Sequence, residues 1–239
     1  QAYGYLFPHG AFFWLFDAFP DAFTQRLWWW LVLGVGYSGF LLLLRRIADT
    51  TGGFTGSFTT GFAMGAAFLY ALSPRVLSTL TTISSETWPV MLAPWVLWPL
   101  ITHRLTLRSI AMSVLAIGMM GAVNATATLA ACTPAGIFLL WRLVVAFHWR
   151  LIGFTIMWGL GAVLISLWWI LPLLVLGRYA SPFTDYIENA TVVTSWLNLA
   201  EILRGTTSWS PFVDAERQAG HALATDPYLI IFTLAVAGL

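Results

Sequence analysis

Three groups of side chains in this 239-residue chain could do chemistry. The first is the run Gln1-Ala-Tyr3-Gly-Tyr5-Leu-Phe-Pro8-His9-Gly10, followed by Asp17 and Asp21. Tyr5 and His9 offer hydrogen bonding and stacking beside an apolar surface, while Gly and Pro turn the chain. A turn anchored at a membrane interface by Tyr and Phe accounts for the same residues equally well. The second group sets Ser73-Pro74-Arg75 against Ser84-Ser85-Glu86-Thr87-Trp88, a cation and a carboxylate in a loop between two helices. A carboxylate beside Trp88 could hold a sugar hydroxyl; its competing role is to cap the following helix, since acids favour helix N-termini. The third group occupies 177–227, with Arg178, Tyr179, Asp185, Tyr186 and Glu188, then Trp196, Glu201, Arg204, Trp209 and Asp214. Rings interleaved with carboxylates suit carbohydrate, whose C–H faces stack while its hydroxyls pair with acids. A solvated loop with an amphipathic surface helix over roughly Thr194–Arg204 is the plainer alternative.

Other chemistries find no residues. His9, His103, His148 and His221 are scattered, and no Gly-rich phosphate loop precedes a Lys. The lone Cys132 cannot form an internal disulfide and is expected to be a small buried residue near a helix end. Asn124-Ala-Thr126 and Asn189-Ala-Thr191 match the glycosylation pattern, which is too short to weigh alone. No cofactor follows from the residues, although a divalent cation would be compatible with sugar transfer. No nucleic-acid partner is expected.

The elements that must position these groups are membrane helices. The chain is 59% hydrophobic and 9% charged, with a mean hydropathy of +0.80, more than a soluble core could hide. Seven apolar stretches stand out: Leu27–Leu44, Phe58–Leu72, Trp88–Ile101, Ser109–Val123, Pro134–Phe147, Leu151–Leu176 and Tyr228 to the end. Alternating the gaps puts 1–26, 73–87, 124–133 and 177–227 on one side, with every carboxylate except Asp49. The other side, 45–57, 102–108 and 148–150, carries Arg45, Arg46, Arg104, Arg108 and Arg150. Short Arg-rich loops stay in the cytoplasm, so the acid-rich side faces out. The run Trp28-Trp29-Trp30 is expected at the outer interface. Trp88–Ile101 holds Pro89, Pro94 and Pro99 and must be kinked or broken, shielded by its neighbours. The last stretch is shorter than a span of about 20 residues, so the chain is expected to be a fragment with a truncated final helix. Arg142 alone lies within a span, close enough to the inner surface to snorkel. A transporter would place ionisable groups at the midplane, so the pattern favours an enzyme or receptor acting at the outer leaflet.

Several runs together resemble a known family. Gln1–Gly10, Leu72-Ser-Pro-Arg-Val76, Ile83-Ser-Ser-Glu86 with Met91-Leu-Ala-Pro-Trp95, and Gly177-Arg-Tyr179 through Tyr186-Ile-Glu188 are similar to the actinobacterial α-(1→3)-arabinofuranosyltransferases. Glu201-Ile-Leu-Arg-Gly205 and Ser208-Trp-Ser-Pro-Phe212 extend the likeness over nearly the whole chain. The resemblance implies an all-α, polytopic helical membrane protein, with residues 1–239 a partial GT-C-type transmembrane domain that includes periplasmic loop 177–227. It also implies a bacterial plasma-membrane enzyme with a periplasmic active face. Such enzymes move arabinofuranose from a decaprenyl-phosphate donor to the arabinan of arabinogalactan or lipoarabinomannan, inverting the anomeric centre. The family's general base would lie before Gln1, so the fragment is expected to be inactive alone. Chemistry and location then nominate Arg75, Arg178 and His9 for the phosphate, and Glu86, Asp185 and Glu188 for sugar hydroxyls, with Tyr5 and Tyr179 beside them. Spans rich in Phe, Leu and Met would groove the lipid chain. A lipid-linked sugar flippase, or a noncatalytic scaffold binding glycan through 177–227, are the competing functions.

Overall fold

The computed structural model describes residues 6–51, 57–80, 84–102, 105–122, 124–179, 198–206, 222–223 and 225–237. All regular structure among them is helical. A kinked turn, Leu6–Gly10, leads into α1 (Ala11–Leu15), α2 (Asp21–Thr51), α3 (Ser57–Ala71), α4 (Pro74–Leu80) and α5 (Ser84–Leu97), which tightens into one turn of 3₁₀ helix at Trp98–Leu100. Then come α6 (Leu107–Gly118), α7 (Ala125–Val145), α8 (Trp149–Gly177), α9 (Leu199–Arg204) and α10 (Pro227–Ala237). Contacts divide the chain into two units. One comprises Gln1–Ala71 and Ser85–Trp169, the other Leu72–Ser84 and Ile170–Leu239.

Among the described residues three helices, α2, α7 and α8, are long and apolar enough to cross a membrane. At 1.5 Å per residue α2 and α8 reach about 45 Å, beyond a hydrocarbon core of about 30 Å. The shorter apolar helices α3 and α6 reach only about 20 Å. Two expectations need correcting here. The stretch expected to begin at Pro134 begins at Ala125, so 125–133 is helix and not an outer loop, and Cys132 sits inside α7. Asn124 explains the start: its side chain accepts a hydrogen bond from the Ala127 amide, an N-cap. Likewise the loop expected around Arg75 and Glu86 is largely helical, as α4 and the first turn of α5.

Within the first unit the helices meet through glycine. A Cβ on Gly36 would stand 2.1 Å from the Met91 sulfur, and one on Gly39 would stand 2.4 Å from Trp95 Nε1. The missing side chains let α2 and α5 close on each other, and Trp95 Nε1 donates to the Val35 carbonyl at 2.9 Å. Gly118 against Ile165 and Gly161 against Val114 knit α6 to α8 in the same way.

The proline-bearing helix α5 is repaired from outside. Pro94 has no N–H to give the Val90 carbonyl four residues back. The Tyr70 hydroxyl of α3 donates to that oxygen instead. The Val96 carbonyl, in the last turn, takes the Ser113 hydroxyl of α6 at 2.7 Å, and Ser113 in turn accepts from Trp158 Nε1 of α8 at 2.9 Å. Beyond the helix end, Arg142 of α7 donates to the carbonyls of Leu100 at 3.4 Å and Thr102 at 3.0 Å. In lipid every such carbonyl needs an internal donor, and three other helices, α3, α6 and α7, supply one, with α8 steadying the Ser113 hydroxyl. Arg142 thus does more than snorkel toward the surface.

Candidate functional site

The end of the first unit at the start of α2 is organised around Trp28. It opened a run expected to form an interface belt, yet it is 1% exposed, while Trp30 is 78% exposed. The Trp28 ring stands 4.6 Å from His9, 5.1 Å from Phe12 and 5.1 Å from Trp88, centroid to centroid. Trp88 then donates its indole N–H to the Met119 carbonyl at 2.6 Å. That carbonyl begins a turn containing Gly121, whose φ of +79° favours glycine, and a Cβ there would meet the Phe7 carbonyl oxygen at 2.6 Å. The turns at 6–10 and 119–122 are therefore pressed together over a column of rings.

His9 is buried in this column, and burial lowers its pKa from 6.5 to about 4. At neutral pH it is uncharged and supplies no cation. Glu86 lies in the first turn of α5, and its Oε1 accepts from Asn124 Nδ2 at 3.1 Å. Because Asn124 Oδ1 caps α7, this carboxylate ties the N-termini of two helices together. Beside the same turns runs an apolar groove of about 530 Å³, lined by Phe7, Leu115, Gly118, Met119, Ile165 and Trp168. Its volume falls within the range of about 300–1,000 Å³ that small-molecule pockets occupy.

In the second unit, Arg75 is exposed in the first turn of α4, and Arg178 and Tyr179 are exposed just past α8. The helix expected over Thr194–Arg204 is seen as α9, which Asn198 caps by accepting from the amides of Ala200 at 2.8 Å and Glu201 at 3.3 Å. Arg204 does not face solvent. It is 7% exposed, donating through Nε to Thr233 Oγ1 and through Nη2 to the Leu223 carbonyl, both at 2.8 Å. Gly205 closes α9 with φ +73°, and a Cβ there would come within 3.3 Å of the Arg75 Cβ. Tyr5, Asp185 and Glu188 lie outside the described residues. Among the described residues no group of three or more His, Cys, Asp or Glu could hold a metal ion. The sequence placed Trp28 in an interface run and Asn124 in a glycosylation pattern, and gave Met119 no role. The signal for the role Asn124 plays was a capping residue just before a helix.

Residues 1–239 match the family described as alpha-(1→3)-arabinofuranosyltransferase, N-terminal GT-C domain. The chain belongs to this arabinofuranosyltransferase family. A relative of that name from Mycolicibacterium smegmatis is 48% identical over 244 residues, covering 99% of this chain and 16% of the relative. One from Mycobacterium tuberculosis is 46% identical over 246 residues, with 99% and 17% covered. The chain thus spans about a sixth of the length of these curated arabinofuranosyltransferases. Its fold is similar to the cryo-EM structure of the mycobacterial arabinofuranosyltransferase AftD. The TM-score is 0.67 at 33% identity, with 99% of this chain and 22% of that one covered. A structure of a mutant of that enzyme gives 0.66 at 36% identity, with 99% and 20% covered. The chain is therefore a portion of a GT-C membrane fold, helical throughout the regular structure of its described residues.

Proposed function

We propose that the protein containing this chain transfers arabinofuranose from decaprenyl-phosphoryl arabinose to cell-envelope arabinan, forming α-(1→3) branches. The reaction takes place at the periplasmic face of a multi-pass plasma-membrane protein. The observation that carries this reading is the family match across all of 1–239, joined by relatives named for that linkage. The apolar groove between the ends of α6 and α8 suits a prenyl chain, which needs burial without polar partners. Arg75 and Arg178, both in the second unit, are exposed cations whose charge suits a phosphate. Glu86 serves best as a clip, because Asn124 already occupies one of its oxygens. The transporter alternative loses ground: Arg142 is taken up by carbonyls.

The test is transfer by the full-length protein in nanodiscs, with labelled donor lipid and an arabinan oligosaccharide. Linkage analysis of the product should show new α-(1→3) bonds. Leu115→Trp, which fills the groove, should raise the donor KM about tenfold with kcat little changed. Absence of transfer would overturn the reaction; an unchanged donor KM would overturn the groove.

A further inference from the structure

The hairpin joining α1 to α2 holds a second cavity, separate from the groove. Phe13, Phe16 and Phe19 line it together with Asp17, Asp21 and Gln25, and its volume is about 430 Å³. Its walls are held in place. Phe16 stands 4.7 Å from Phe12 and 6.0 Å from Phe19, and Phe12 stands on the buried Trp28, so the ring ladder is anchored in the core. Thr24 also lines the cavity and is 3% exposed. Its hydroxyl donates to the Phe16 carbonyl at 3.4 Å, leaving the oxygen lone pairs to accept from a ligand.

The chemistry of this lining selects its ligand. The two carboxylates only accept, the Gln25 amide both donates and accepts, and Thr24 accepts, all beside aromatic faces. A ligand matching that mixture carries many hydroxyls together with apolar C–H faces. An anionic headgroup is repelled by two acids that have no cation in the lining. An acyl chain is disfavoured, because it would strip water from two carboxylates and the Gln25 amide and offer them no hydrogen bond. We propose that this crevice binds a neutral oligosaccharide, as a docking subsite for glycan above the membrane. Only the choice of arabinan as that glycan rests on the transferase reading.

The experiment measures binding of a synthetic arabinofuranosyl hexasaccharide to the full-length protein in nanodiscs, without donor lipid. Phe19 is half exposed, so Phe19→Ala should leave the melting temperature unchanged and weaken Kd about tenfold. Asp17→Asn with Asp21→Asn should weaken it at least about fivefold, and Phe19→Trp should retain binding. In turnover, both weakened variants should raise the acceptor KM and leave the donor KM alone. Kd values within twofold of the parent in both variants would overturn the proposal. A parent that binds the sugar and transfers nothing would sink the transferase reading and support the crevice. A parent that transfers normally while both variants bind like it would sink the crevice alone.

Discussion

Tyr70→Phe should loosen α5 selectively, and the size of the effect follows from the proline it serves. The substitution deletes one hydroxyl and keeps the ring, whose stack on Phe40 (4.5 Å between centroids, 9° between planes) is undisturbed. What is lost is the donor to the Val90 carbonyl, an oxygen that Pro94 cannot serve. In soluble proteins an orphaned buried carbonyl costs about 1–3 kcal/mol. Interhelical hydrogen bonds in membrane proteins average about 0.6 kcal/mol and reach about 1.7, because freed groups usually find another partner. Val90 has lost its normal partner already, so the upper end applies, about 1.5 kcal/mol. Amide exchange in α5 of the full-length protein, followed by mass spectrometry, should then run about tenfold faster. The control is Pro94→Ala, which restores an N–H to Val90. In that background Tyr70→Phe should cost less than about 0.5 kcal/mol, and the difference is the coupling energy. Equal acceleration in both backgrounds, or none in the parent, would refute the assignment of Tyr70 as the substitute donor.

Three further expectations are simpler to test. Arg142→Leu removes both donors at the end of α5 and should lower the melting temperature by the equivalent of about 1–3 kcal/mol, with Arg142→Lys intermediate; equal losses from both would point to bulk and not to the hydrogen bonds. His9 titrates near about 4 when folded and near 6.5 when unfolded, so between those values the unfolded chain holds more protons. Stability should be flat above 6.5 and fall as pH drops toward 4, and His9→Gln should flatten that slope in melting curves. Glu86→Gln keeps an oxygen for Asn124 and should melt within about 0.5 kcal/mol of the parent, whereas Glu86→Ala should not. Normal transfer by Glu86→Gln would remove its charge from the reaction.

The long helices were legible because their apolar runs exceed anything a short element needs. α2 and α8 were found, each extending beyond its apolar stretch. The first turns of α7 were missed because Asn124-Ala-Thr-Ala-Thr128 is too polar to register as span, although the Asn cap marks the start. The Trp run misled for a geometric reason. With 3.6 residues per turn, three consecutive rings cannot share one face, so Trp28 turns inward while Trp30 turns out. The prolines of α5 suggested a kinked or broken segment, but the helix runs on through Pro89 and Pro94, and the donors that serve its carbonyls were not readable. Tyr70, Ser113 and Arg142 are separated from their acceptors by 20, 17 and 42 or 40 residues. The same holds for Glu86 and Asn124, 38 residues apart, since nothing local records a long-range pair. The three chemical clusters fared differently. Tyr5, Asp185 and Glu188 lie outside the described residues, His9 is neutral and enclosed, and Arg75 and Arg178 stand open.

The dispersed donors around α5 also set a timetable for biogenesis. During synthesis Tyr70 emerges before α5, but Ser113 and Arg142 emerge after it. Until Arg142 arrives, the carbonyls of Leu100 and Thr102 lack its guanidinium, although the Thr102 amide already donates to Leu100 at 2.9 Å. The proline-bearing helix is therefore fully tied down only once α7 has followed it, which makes the last step of its packing cooperative. Nascent chains stalled before and after Arg142 should differ in cysteine accessibility at residues 98–102. Equal protection in both would mean that α5 seats itself unaided.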